Sequence, residues 1–201
     1  MIDPFCFYCR RSFHSDDIGL HLGMCSQPTD TERWLADEGA RAMDARRNST
    51  PEKMGDSYGG LVGQLVVARF ISGPEGEAHV TAKNDVHMIV MGDIRENLLW
   101  LDCWQNGWPI SIKVCLDHSN ADPYLASSTL HSHLLYVFGR RSSGIARFYP
   151  VGWAMGTDMR ELAADELKLL GMQTGYGLRQ SELRPLYTLW DKLMTAGPGK
   201  L

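Results

Sequence analysis

Leu98-Leu99-Trp100-Leu101-Asp102-Cys103-Trp104 and Ile110-Ser111-Ile112-Lys113-Val114-Cys115-Leu116 read as two β-strands, with Gln105-Asn106-Gly107-Trp108-Pro109 as the hairpin loop between them. Further strands flank this pair. Ala78–Ala82 and Val86–Met91 precede it, the second almost continuously apolar and so expected at the centre of a sheet. Leu130–Gly139 and Ala146–Trp153 follow it, joined by a basic turn over Gly139–Gly144 that carries Arg140 and Arg141.

Helices are expected on both sides of the strands. Thr29 and Glu32 stand at capping-box spacing and open a helix to about Arg46 or Arg47, with Trp34, Leu35, Ala42 and Met43 as its apolar stripe. Asn48-Ser49-Thr50-Pro51 breaks it. Gly55 to Phe70 forms a second helix with an apolar face of Leu61, Leu65 and Ala68, joined by Val62 and Phe70. Near the end, Thr157 caps a helix that runs to Leu170 before Gly171, and Ser181 caps another to about Ala196, with Pro185 in its first turn. Helix, strands, then helices predicts an α/β or α+β core with a helical C-terminus.

The first 25 residues carry a different signal. Cys6-x2-Cys9, eleven residues, then His21-x3-Cys25 supplies four nitrogen and sulfur donors. The cysteine pair suits a tight knuckle, and His21 and Cys25, four apart, stack on one helix face. Such a donor set makes a closed tetrahedral structural Zn²⁺ site. Asp16 or Asp17 caps the helix, and Phe13 and Ile18 pack beneath the metal. A module this short buries too little core to fold without its ion. The reading divides the chain into a finger at residues 1–29, a connecting helix at 30–50 and a core at 51–201.

Composition narrows the function. The chain has 201 residues, 44% hydrophobic, with a formal net charge of −4. No apolar run approaches the roughly eighteen residues of a membrane span, and no signal peptide is expected. Five cysteines, three of them in the metal pattern with His21, argue for a reducing, cytoplasmic setting. Slight acidity disfavours indiscriminate polyanion binding. Residues 1–29 hold two basic and three acidic side chains, and Asp16 to Cys25 contains no Arg, Lys, Asn or Gln. The finger helix is therefore not a groove reader, and only Arg10 and Arg11 in its knuckle reach for phosphate. A structural cap or a contact with a protein partner is the expected role of the finger.

The finger resembles the C2HC type, and its spacing and His21-Leu22 pair resemble the ubiquitin-binding fingers of DNA-repair proteins. Gly23 stands where that family carries an Asp that contacts the partner. Residues 53–155 resemble the PD-(D/E)xK, or restriction-endonuclease-like, superfamily. Gly60-x2-Gly63-Gln64-x2-Val67-Ala68 resembles its first helix, Asn84-Asp85-Val86-His87-Met88-Ile89-Val90 its Asp-bearing strand, and Ile110-Ser111-Ile112-Lys113-Val114 its (E/Q)-x-K strand. Leu135-Tyr136-Val137-Phe138 and Arg147-Phe148-Tyr149-Pro150 resemble the paired strands that follow.

The resemblance implies a catalytic set of Gln64, Asp85, His87, Ser111 and Lys113, with Mg²⁺ as cofactor if the core is a nuclease. Two acids ordinarily hold the cation while the Lys orients the attacking water. Here Lys113 is the straightforward match. His87 takes the acid's register unless Asp85 substitutes two residues earlier, on the same face, and Ser111 replaces the second acid. One carboxylate with His and Ser is a poor cage for Mg²⁺. The expectation is a nucleic-acid-binding or -processing protein, weakly active or inactive as a nuclease, with Arg10, Arg11, Arg140 and Arg141 as nucleic-acid contacts. The alternative is a non-enzymatic adaptor whose finger meets a protein.

His131 and His133 share a strand face and, with Asp117 or His118, resemble a cupin-like metal set, but no following Glu completes it. A half-exposed strand face is the preferred account of the pair. Of the six tryptophans, those in or beside strands are expected to pack rather than to stack on bases.

Overall fold

The structure is a computed structural model that describes residues 5–6, 11–12, 25–47, 58–71, 98–101, 108–115, 124–127, 135–141, 147–169 and 173–197. It is an α+β protein: helices pack on a four-stranded mixed sheet. The strands expected at 78–82 and 86–91 lie outside the described residues.

Strands β1 (Phe5–Cys6) and β2 (Arg11–Ser12) pair antiparallel, with Cys6 opposite Arg11. Helix α1 (Asp30–Arg47) starts where the sequence places it. The Thr29 N–H donates to Glu32 Oε2 at 2.7 Å and the Glu32 N–H to Thr29 Oγ1 at 3.1 Å, the reciprocal capping box. Its buried stripe is Glu32, Leu35, Ala36 and Ala40, at helical spacing. Trp34 does not join it: it is 57% exposed, one position off the stripe.

Helix α2 (58–71) is buried almost all round: Leu61, Val62, Leu65, Val66, Val67, Ala68 and Ile71 are in the core, and Phe70 is half-buried. A helix apolar on every side belongs between layers. It lies on the sheet formed by β3 (Leu98–Leu101), β4 (Trp108–Cys115), β6 (Leu135–Arg141) and β7 (Phe148–Met155), in the order β3-β4-β6-β7. The approach is close. A Cβ on Gly63 would stand 2.7 Å from Phe148 and Val114 side-chain carbons, and one on Gly139 would stand 2.6 Å from Val67 Cγ2.

β3 and β4 form the expected hairpin, but Trp108 and Pro109 belong to β4 rather than to the loop, opposite Leu101 and Trp100. β4 runs parallel to β6, and β7 returns antiparallel at the edge. Arg140 and Arg141 are not in a turn. They extend β6, with Arg140 between Cys115 and Tyr149 and Arg141 opposite Phe148. Pairing shifts between Phe138 and Gly139, where Val151 of β7 is passed over, which makes a bulge.

Alternation along the strands divides the sheet. Ile110, Ile112, Val114, Leu135, Val137 and Phe148 face α2 in the main core. Tyr136, Phe138 and Ala154 face the other way and pack with Met159 and Leu178. That second layer is a small antiparallel sheet absent from the sequence reading: β5 (Tyr124–Ser127), β8 (Arg160–Glu161) and β9 (Tyr176–Arg179), in the order β5-β9-β8.

The helix expected from Thr157 to Leu170 is broken into a 3-10 turn (Gly156–Asp158), β8 and helix α3 (Ala164–Leu169). Asp158 accepts the Met155 N–H at 2.8 Å, which closes a tight turn and lets Met159 run extended into the second layer. Glu166 accepts the Ala163 N–H at 2.8 Å and holds Arg160 through two bonds of 2.7 and 2.8 Å. The helix expected from Ser181 to Ala196 is likewise a 3-10 turn (Gln180–Glu182) and then α4 (Tyr187–Leu193). Pro185 precedes α4, and its carbonyl accepts the Thr188 N–H at 3.1 Å. α4 returns to the main core through Leu189 and Leu193. Two buried tryptophans pin this tail: the Trp153 indole N–H donates to Pro185 O and Thr188 Oγ1, and that of Trp108 to Thr195 O at 2.8 Å.

Candidate nucleic-acid interface

The parallel pair β4 and β6 ends at one side of the sheet, with Cys115 opposite Arg140. The carboxyl ends of parallel strands are where open sheets present ligand-binding groups. β7 begins at the same side, since Arg141 pairs with Phe148.

Register places Ser111, Lys113 and Arg140 on the face away from α2, beside Tyr136 and Phe138. Ser111 is fully buried, and its Oγ has no hydrogen-bond partner among the described residues. Lys113 follows one step along the same face. Burial lowers its amine from the ordinary 10.5 to about 8. An amine titrating there holds or releases a proton near neutral pH, the property asked of a group that orients or accepts a proton. Arg140 is half-buried, and its Nη1 donates to Gln180 Oε1 at 3.2 Å. Arg141, the last residue of β6, is exposed.

Gln64 reaches the same strand from α2. Its Nε2 donates to the Ile112 carbonyl at 3.1 Å, one residue before Lys113 and just past Ser111, where pairing with β3 stops. Ser111, Lys113 and Arg140 thus share the face away from α2, whereas Gln64 reaches β4 from the α2 side and Arg141, opposite Phe148, lies on the α2 side as well. Asp85 and His87 lie outside the described residues, as do Asp117, His118, His131 and His133.

Of the finger donors, Cys6 is buried in the main core cluster and Cys25 is half-buried against it, and neither is in a disulfide. Cys9, His21 and Arg10 lie outside the described residues, and Arg11 falls in β2. Among the described residues no group of three or more His, Cys, Asp or Glu side chains gathers at a metal position, and no helix is long and apolar enough to cross a membrane. Cys6 ends β1 and is paired across to Arg11 of β2. Its thiol and that of Cys25 have the chemistry of zinc donors, and both belong to one cluster.

Three residues near this site escaped the sequence reading. Arg69 lies within an otherwise apolar helix. Its Nε donates to Glu32 Oε1 at 2.8 Å, its Nη1 to Cys25 O at 3.0 Å and its Nη2 to Gln27 O at 2.8 Å. One buried guanidinium therefore ties the end of the finger segment and the cap of α1 to α2. The Phe148 N–H adds a bond to Ser26 O at 3.0 Å. Arg147 and Tyr149 flank Phe148 on the other side of the strand, and a lone Arg inside an apolar helix was the only signal for Arg69.

Comparison with protein-family models, with curated proteins and with solved structures finds no match.

Proposed function

We propose that the chain binds or processes nucleic acid through a restriction-endonuclease-like core, with a structural Zn²⁺ finger at its N-terminus and little or no nuclease turnover. The observation that carries this reading is the placement of Lys113. Its partly desolvated amine shares a sheet face with Arg140 at the carboxyl end of the parallel pair. Lysine and arginine at a strand end suit phosphate, as a point charge and as a planar fork. Gln64 meets the same strand at the Ile112 carbonyl but from the α2 side, so it does not join Lys113 and Arg140 on their face.

Weak turnover follows from the donors. Ser111 offers a neutral, fully buried hydroxyl where the resemblance asks for a carboxylate. Asp85, with His87, would be the remaining ligand to a divalent cation, and Mg²⁺ prefers several oxygens. Zn²⁺ held by Cys6, Cys9, His21 and Cys25 would fix the fold of the first 25 residues.

Three measurements test the reading on the full chain. Elemental analysis of protein purified without chelator is expected to return one zinc per chain. A labelled oligonucleotide is expected to bind with an affinity that falls steeply between about 50 and about 200 mM salt. Supercoiled DNA with Mg²⁺ or Mn²⁺ is expected to remain largely uncut. Absence of salt-sensitive binding at the lower salt would end the nucleic-acid reading, and robust metal-dependent cleavage would end the proposal of weak turnover.

A second reading, a protein adaptor, draws on Trp34, an exposed indole on the first turns of α1, next to the finger's end. An adaptor would keep its partner contact and show no nucleic-acid affinity.

A further inference from the structure

We propose that Tyr149 is a base-stacking platform flanked by Arg140 and Arg147, and that the polynucleotide held at this face is single-stranded. The inference rests on the nucleic-acid reading above and adds to it the class of substrate and a residue that recognises it.

Tyr149 is 40% exposed and is the only exposed residue of β7. It stands directly opposite Arg140 in the β6–β7 pairing, on the face that carries Lys113 one row further in. Arg147 is two residues earlier, on the same side of the chain by alternation. It is half-buried, and its Nε is buried without a hydrogen-bond partner among the described residues. An exposed tyrosine on an edge strand is ordinary by itself. A tyrosine whose register neighbour and whose chain neighbour two residues back are both arginines on its own side, at the end of a parallel strand pair, is a different arrangement.

Among the described residues, the charges next to this ring favour a polyanion. The Gln180 side chain, a neutral acceptor, steadies Arg140 at 3.2 Å. The nearest carboxylate of that 3-10 turn, Glu182, is directed elsewhere: it accepts the Arg179 N–H at 2.6 Å and lies 4.0 Å from Arg160. Phosphates alone would not distinguish strands, because duplex and single strand both present them. The ring does. Bases in a duplex are stacked on one another and offer a sheet-borne tyrosine only their edges. Unpaired bases offer their faces, and every base has one. An aromatic ring with flanking cations therefore selects unpaired polynucleotide without reading its sequence.

The test uses the full chain and two probes of the same sequence, a labelled single strand of about a dozen nucleotides and its duplex, read by fluorescence anisotropy at fixed salt. Single strand is expected to bind the tighter of the two. Tyr149→Ala should weaken single-strand binding between roughly 5- and 100-fold, with a much smaller change for duplex. Tyr149→Trp should restore it, and thermal melts should show each variant folded. Arg147→Ala should weaken both probes, as loss of a phosphate contact does. If the wild-type chain binds both probes equally and Tyr149→Ala changes neither, the stacking inference fails while the nucleic-acid reading stands. If neither probe binds the wild type, that reading fails and the inference with it.

Discussion

The two faces of the central sheet differ in what they bury. On the side of α2, β4 contributes Ile110, Ile112 and Val114 to a core so close-packed that Gly63 and Gly139 have no room for a methyl group. On the other side the same strand contributes Ser111 and Lys113, a buried hydroxyl and a desolvated amine. Alternation alone separates them: Ser111 and Lys113 fall between Ile110, Ile112 and Val114. The α2 face carries the larger core, and the other face combines a smaller core around Tyr136 and Phe138 with Ser111 and Lys113, where the binding proposal is placed.

The largest expected effect lies on the α2 side. Glu32 is fully buried and Arg69 nearly so, with 2.8 Å between them. Glu32→Ala leaves a buried guanidinium without its carboxylate and should cost about 3–5 kcal/mol in urea unfolding. The double variant Glu32→Leu/Arg69→Met should recover much of that loss, because no uncompensated charge remains. A double variant worse than the sum of the singles would contradict this account of the pair.

Packing comes next. Gly139→Ala sets a carbon against Val67 and should cost roughly 1–3 kcal/mol. Adding Val67→Ala should relieve part of it, which a thermal melt of the three variants would show.

Lys113 gives a smaller effect of opposite character. Below pH 8 the amine is protonated in both folded and unfolded chains, and the folded state bears the desolvation. Between about 8 and 10.5 the folded chain releases the proton while the unfolded chain keeps it. Its contribution therefore rises with pH across that window, on the order of 1 kcal/mol for a partly exposed amine. Unfolding curves of wild type and Lys113→Met across that range should converge as pH rises. A constant gap would contradict the lowered titration.

At the surface of α1, Arg41 meets Asp37 and Glu38 in exposed pairs. Arg41→Ala should change stability by about 0.5 kcal/mol or less. A larger loss would mean that α1 depends on its solvent face.

How much of this was legible in the sequence follows the same division. The capping box at Thr29 and Glu32, α1, α2, the β3–β4 hairpin and the strands β6 and β7 are local signals, carried by periodicity and caps. The C-terminal third was misread because its carboxylates work over three residues. Asp158, Glu166 and Glu182 each accept the N–H of the residue three before, just as Glu32 does. Where helix follows, the pattern is a cap; at Asp158 and Glu182 it closes a 3-10 turn. Trp34 was placed in the stripe by its apolarity, although Ala36 and Ala40 complete it by spacing.

The site was half legible. A lysine in an apolar strand is visible at once, and the resemblance singled out Lys113, Ser111 and Gln64. Tyr149 and Arg147 gained meaning only from the register that sets Tyr149 beside Arg140. Arg69 needed the fold to bring residues 25, 27 and 32 around it.

The central proposal is that Lys113 serves binding rather than stability. Lys113→Met, measured at pH 7 for both its melting temperature and its affinity for a single-stranded oligonucleotide, tests it in one variant. The account predicts a melting temperature unchanged or raised and an affinity clearly reduced. A variant that melts lower and binds as well as the wild type would contradict it.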